Sequence, residues 1–194
     1  TVQSATKFLA GHADLLAGVA ATNDPDLAVL LHRGQLVSGA LLPPIASYRL
    51  LQDVKTLALR LERQQQNARE LIEFLSERPE VEKIFYAGSS SEEQAEVQSR
   101  QARGIGSVFS LLLKDGGDAQ AFARSLPIFV NAVSLGGIES LVSLPAHTTH
   151  GAYAQEHRDE FGVDDRLVRL AIGIEDVQDL IAALEIGLKA AFAG

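Results

Sequence analysis

A long amphipathic stretch bracketed by prolines constrains this chain more than any other feature. From about Ser47 to Arg78 the apolar residues Val54, Leu57, Leu61, Ala68, Leu71, Ile72 and Leu75 return every three or four positions, the period of one helix face. Gln64, Gln65 and Gln66 interrupt that face in its middle. At ~1.5 Å per residue, a helix of this length reaches between two domains rather than covering one. Pro43-Pro44 lie ahead of it and Pro79 marks where it stops, because proline lacks the N–H that a helix interior needs. A domain boundary is therefore expected inside the helix near residue 60, dividing the chain into 1–60 and 61–194.

The texture differs on the two sides. Ahead of the helix, the apolar run at 15–22, between Asp14 and Asn23, reads as a buried strand. Asp24-Pro25 then opens a helix over Asp26–Ser38, with Asp24 as its cap, Pro25 at the first helical position and Gly39 beyond its end. Behind the helix the units are shorter. VEKIFYAG reads as a strand, Ser89–Arg103 as a polar segment and Gly104–Leu113 as a strand. A helix at 118–125, strands near 129–134 and 139–144, a loop, a strand at 167–173 and a helix at 176–192 follow. This alternation favours a small α+β layer, a sheet with helices on one face.

Composition removes several functions. The net charge is -8, with basic residues scattered along the chain, which argues against a nucleic-acid partner. No apolar run approaches the ~20 residues of a membrane-spanning helix, so no membrane partner is expected and a cytoplasmic address is the default. There is no Cys, and so no disulfide, thiolate nucleophile or thiolate metal site. His147 and His150 are three apart in a Pro- and Thr-rich stretch with no third ligand nearby; they read as loop residues, and no metal is expected. The chain also lacks Met and starts at Thr1 inside what reads as an ordered segment. A fragment or processed chain is the expectation.

Three places carry candidate chemistry. In Ser4-Ala5-Thr6-Lys7 a lysine follows two hydroxyls and precedes Gly11-His12-Ala13-Asp14. Lys7 alone reads either as a solvated loop lysine or as an amine forming a Schiff base with a carbonyl cofactor whose phosphate the hydroxyls would bind. Ser134-Leu135-Gly136-Gly137 closes a strand, as a plain tight turn or as a close approach to a ligand. Arg169 lies within the apolar strand LVRLAIGIE. It reads either as a residue on the wet face of an edge strand or as a charge that meets an anion, for which the guanidinium fork fits a carboxylate. Glu175-Asp176 reads as acidic capping of the following helix.

Together, SATKFLAGHADLLAG, SLGGIESLVSLPAHTTH and LVRLAIGIEDVQDLIAALE resemble, in order and spacing, the γ-synthases, γ-lyases and sulfhydrylases of transsulfuration. These are the Cys/Met metabolism enzymes that depend on pyridoxal phosphate. The resemblance implies an α/β chain with fold type I of the PLP-dependent transferases: the end of the large cofactor domain and the start of the interdomain helix in 1–60, and the small C-terminal α+β domain in 61–194. It implies that Lys7 binds the cofactor covalently and then acts as general base. Ser4 and Thr6 would contact the cofactor's phosphate, and Ser134 and Arg169 the α-carboxylate of an amino-acid substrate. A homo-oligomer, a tetramer in the family, is implied as well.

The departures from the family pattern are local. Gln52-Asp53 stand where many members have Arg-Gly, and YAGSSSEE lacks the usual Pro-Gly after the tyrosine. Val133 precedes Ser134 where several cystathionine-handling members carry Glu, and an apolar neighbour suits a methionine-like substrate. The reading therefore leans to γ-elimination of cystathionine or methionine, with γ-replacement and a non-catalytic oligomerising fragment as alternatives. In the family the remaining cofactor contacts lie upstream of the lysine or come from a neighbouring subunit, so these residues are expected to need a further segment of comparable size.

Overall fold

The computed structural model describes residues 1–193. The chain divides into two compact units, Thr1–Leu59 and Arg60–Gly194.

In the first unit, β1 (Val2–Ser4) pairs antiparallel with β2 (Gly18–Ala20), and a kinked π-helical turn, Ala5–Leu9, follows β1. The apolar run expected as a buried strand contributes only the three residues of β2, and they are exposed. A two-stranded ladder offers no second layer on which the run could bury itself. Helix α1 (Pro25–Ser38) starts as its sequence dictates. The Asp24 carboxylate accepts from the Asp26 and Leu27 amides at 2.9 and 3.1 Å, and Gly39 closes the helix with φ 69°, the left-handed turn that glycine adopts without penalty.

The expected single long helix is two. Helix α2 spans Pro44–Val54 and α3 spans Leu57–Ser76. At the break the Lys55 and Thr56 amides bond three residues back, to the carbonyls of Gln52 and Asp53, and the Thr56 hydroxyl also donates to the Asp53 carbonyl at 3.1 Å. Such tightened, side-chain-assisted bonds end the regular ladder while leaving the apolar period in the sequence undisturbed.

In the second unit, β3 (Val81–Phe85), β4 (Val108–Leu113), β5 (Val130–Asn131), β6 (Leu141–Ser143) and β7 (Leu167–Ala171) form one sheet in the order β3-β4-β7-β6-β5. All pairs are antiparallel except β5 with β6. Helices α4 (Glu92–Gln101), α5 (Ala119–Arg124), α6 (Gln155–Glu160) and α7 (Val177–Ala191) complete the unit. Along β4 and β7 alternate residues are buried: Phe109, Leu111 and Leu113 on one, Val168 and Leu170 on the other. They pack with Leu71 and Leu75 of α3, Phe122 of α5, and Leu180, Leu184 and Leu188 of α7. Each such side chain contributes about 1.5–3 kcal/mol through removal from water. The core helices thus lie on one face of the sheet, as the α+β pattern predicts.

Candidate functional site

Lys7, Ser4 and Thr6 sit together in the first unit. Lys7 is the point where the Ala5–Leu9 turn departs from helical geometry (φ -91°, ψ -124°), and its carbonyl accepts from the Gly11 amide at 2.8 Å. Neighbouring bonds hold the turn. The Thr6 hydroxyl accepts from the Ala17 amide at 3.0 Å and donates to the Ala17 carbonyl at 3.3 Å. The second contact is long for an O–H donor, so that proton can turn to an anion at little cost. Ser4 makes no side-chain capping bond to the turn. His12 Nδ1 lies 2.9 Å from the Ala10 carbonyl and 3.0 Å from Asp53 Oδ1. Asp53, read as a local departure, thus ties α2 to the segment that follows Lys7.

Arg169 lies in the second unit, on a strand that is central in the sheet rather than at its edge. It pairs with Ser110 of β4 and Ser143 of β6, so Ser110, Arg169 and Ser143 share the sheet face opposite the leucine core. Arg169 is half-buried. Among the described residues no carboxylate lies within ion-pair distance of its guanidinium, whereas Arg158 and Arg166 both have acidic partners. Partial burial of a cation is costly unless an anion or polar groups compensate it.

Ser134 does not close a strand as expected. Strand β5 ends at Asn131, and Ser134 falls in the loop that returns to β6. A parallel return of so few residues must double back sharply, which it does through positive φ at Ser134 (114°) and at Gly136 (82°). For serine that conformation is strained and persists only where the surroundings impose it. Asn131 pairs with Val142, and Val142 with Leu170. The loop therefore leaves the sheet about two strand spacings, ~9–10 Å, from the Arg169 strand.

Sequence reasoning missed the polar knot beneath this loop. The Glu175 carboxylate accepts from the Ser140 amide at 2.6 Å and from the Ser140 hydroxyl at 2.9 Å, while Ser140 Oγ accepts from the Gly173 amide at 2.9 Å. From α3, Asn67 donates to the carbonyls of Gly173 (3.2 Å) and Glu175 (2.9 Å), and Gln64 donates to the Gly137 carbonyl at 2.6 Å. Gln64, Asn67 and Ser140 are fully buried. Of the two acids read as caps, only Asp176 caps α7, accepting from the Gln178 amide at 2.8 Å. Gln64, in the interruption of the apolar face, was the one visible sign of this network.

At the start of β7, Arg166 bonds Asp164, Glu82 and Asp115. The Arg166 side-chain hydrogen bond holds the Asp164 carboxyl below its ordinary value, and Asp164 in turn raises the guanidinium's affinity for its proton. Among the described residues no cluster of His, Asp and Glu could hold a metal ion, and no helix is long and apolar enough to cross a membrane.

The family model described as Cys/Met metabolism PLP-dependent enzyme matches residues 1–189. The chain belongs to this family. Among curated relatives, the cystathionine gamma-lyase of Bacillus subtilis (strain 168) is 39% identical over 180 residues, 93% of this chain and 48% of that protein. The L-methionine gamma-lyase of Fusobacterium nucleatum subsp. nucleatum is 39% identical over 191 residues, 97% of this chain and 48% of that protein. The crystal structure of cystathionine gamma-lyase from Lactobacillus plantarum complexed with L-serine superposes with a TM-score of 0.91 at 35% identity, covering 98% of this chain and 50% of that one. The chain shares the fold of the part of that structure it matches, and it spans about half the length of the family members it matches.

Proposed function

We propose that the protein containing these residues is a PLP-dependent lyase of sulfur amino acids that works by γ-elimination on cystathionine or methionine. One observation carries the reading. Arg169 is a half-buried cation that, among the described residues, meets no carboxylate, and it stands in a row with two serines on the face away from the core. That is a receptor for an α-carboxylate, which the guanidinium meets with two parallel N–H donors. Ser134, on the adjoining loop, adds a hydroxyl to the same carboxylate.

The residues of the first unit fit pyridoxal phosphate at its aldehyde and its phosphate. Lys7 supplies the amine, and the hydroxyls of Ser4 and Thr6 supply donors, Thr6 by releasing its long bond to the Ala17 carbonyl. When bound, the cofactor supplies an electron sink for charge at the substrate's Cα. With the cofactor in place, Lys7 Nζ would take the proton from the substrate's Cα and shuttle a proton at Cβ, so one residue would both hold the cofactor and act as general base. Arg169 holds the substrate by its carboxylate and so limits how it can turn in the site.

A homo-oligomer, a tetramer, is part of this reading, and the exposed apolar residues of the first unit are surface for a further segment of the protein or another copy to cover. Among the described residues α1 and α2 bury none of their side chains, and Leu30, Val37, Leu41, Ile45, Tyr48 and Leu51 are all more than half exposed. Apolar surface on this scale needs a cover. A cytoplasmic location accompanies the metabolic role.

Borohydride treatment of the full-length holoprotein tests the cofactor assignment: the yellow colour bleaches and the label falls on Lys7. Unchanged cofactor binding and turnover in Lys7→Ala would end the assignment. A product assay with cystathionine, methionine and an activated homoserine ester, with and without a thiol, then separates elimination from replacement. Release of a 2-oxo acid from the first two supports the lyase, and a thioether formed only with thiol supports a replacement enzyme.

A further inference from the structure

Ser134 holds φ 114°, a backbone conformation that costs a residue with a Cβ and persists where the surroundings impose it. The anchors of its loop explain how. Before Ser134, the Val130 and Ala132 amides bond the Ser140 and Val142 carbonyls at 2.9 and 3.0 Å. After it, the Gly137 carbonyl is held by Gln64, the Ile138 carbonyl by the Ile174 amide at 2.9 Å, and Ser140 by Gly173 and Glu175. Apart from the bond to α3, the downstream anchors all lead to residues 173–175, which directly follow the strand bearing Arg169.

The polarity of the chain of bonds is fixed. The Gly173 amide donates to Ser140 Oγ, so the Ser140 proton points to Glu175 Oε2, while the Ser140 amide takes Oε1. Both Glu175 oxygens therefore act as acceptors towards one residue, a task an amide side chain performs with only one of its two atoms. Asn67, fully buried, clamps the other side of the same turn through the Gly173 and Glu175 carbonyls. Packing leaves no slack, since a Cβ on Gly173 would run into the Ile138 carbonyl and the Glu175 carboxylate.

We infer that Glu175, acting through Ser140 and backed by Asn67, is a positioning residue that sets the Ser134 loop against the Arg169 strand and so holds the two halves of the substrate-carboxylate grip in register. This rests on the reading that Ser134 and Arg169 hold the α-carboxylate. A carboxylate is suited to the task because charge-assisted bonds are short and stiff, and displacement of a binding group by a fraction of an ångström weakens a bidentate contact.

The test uses the full-length holoprotein and a ligand pair that differs only at the carboxylate, L-alanine and L-alaninamide. Dissociation constants are read from the change in the cofactor's visible absorption. Glu175→Gln and, independently, Ser140→Ala are each expected to weaken L-alanine about tenfold, the size expected for a misaligned charge-assisted bond, while L-alaninamide changes by less than about twofold. If both variants keep the parent's full preference for L-alanine, or lose affinity for both ligands equally, Glu175 has no positioning role and the inference fails alone. A parent protein that binds the two ligands equally would instead sink the carboxylate reading, and this inference with it.

Discussion

Arg169 of β7 stands directly opposite Ser143 of β6, on the sheet face turned away from the leucines that fill the core. The arginine is half-buried and the serine almost fully so. The pair places a cation where the only side chains beside it in register are hydroxyls, because Ser110 flanks it on the other side.

Arg169→Lys keeps the charge and removes the fork. For a carboxylate ligand the expected result is a loss in kcat/KM of about tenfold or more, carried mainly by KM, and Arg169→Ala should lose at least about a hundredfold. Steady-state kinetics on the full-length holoenzyme provide the check.

Phe122 is fully buried between the sheet and α7. Truncation to alanine leaves a cavity that the surrounding leucines fill only in part, and Phe122→Ala should destabilise the protein by about 3–5 kcal/mol. Chemical denaturation followed by circular dichroism measures it, with a shift in midpoint at unchanged slope as the expected signature.

Neighbouring acids at the start of α7 should separate cleanly. Asp176→Ala removes the cap on the Gln178 amide and is expected to lower stability by about 1 kcal/mol. Its substrate affinity should stay at the parent value, in contrast to Glu175→Gln. Thermal melting and ligand titration of the two variants side by side decide the point.

Asp164 gives the protein an acid-sensitive contribution. Its carboxyl is held below the ordinary value chiefly by the Arg166 hydrogen bond, so the folded state favours the ionised form. That stabilisation is fully present above the unfolded carboxyl's value of roughly 4 and is lost as pH falls through the lower folded value. The Asp164 side chain is 39% exposed, so solvent screening keeps the effect below about 1 kcal/mol. The stability difference between the parent and Asp164→Asn should hold constant from pH 7 to 5 and close progressively below pH ~4.

Local chemistry made much of the fold legible. Asp24, Pro25 and Gly39 each act on their own backbone neighbours, and α1 begins and ends where they require. The alternation in β4 and β7 likewise places Leu111, Leu113 and Leu170 in the core. Long-range bonds were not legible. The apolar period runs unbroken through residues 55 and 56, whereas the ladder there is interrupted by Thr56 bonding back to Asp53. Glu175 stands beside a helix start and so reads as a cap, yet its partner Ser140 is 35 residues away. The face on which Arg169 lies follows only from its register with Ser110 and Ser143, and the positive φ of Ser134 follows from no property of serine.

The two outer strands of the five-stranded sheet have a consequence for self-association. β5 has only two residues, and β3 carries a shift in register between Val81 and Lys83 with Glu82 and Lys83 exposed. A short border and a kinked, charged one each offer a poor template for a foreign strand. While the second unit stays folded, its margins therefore resist fibril-type growth.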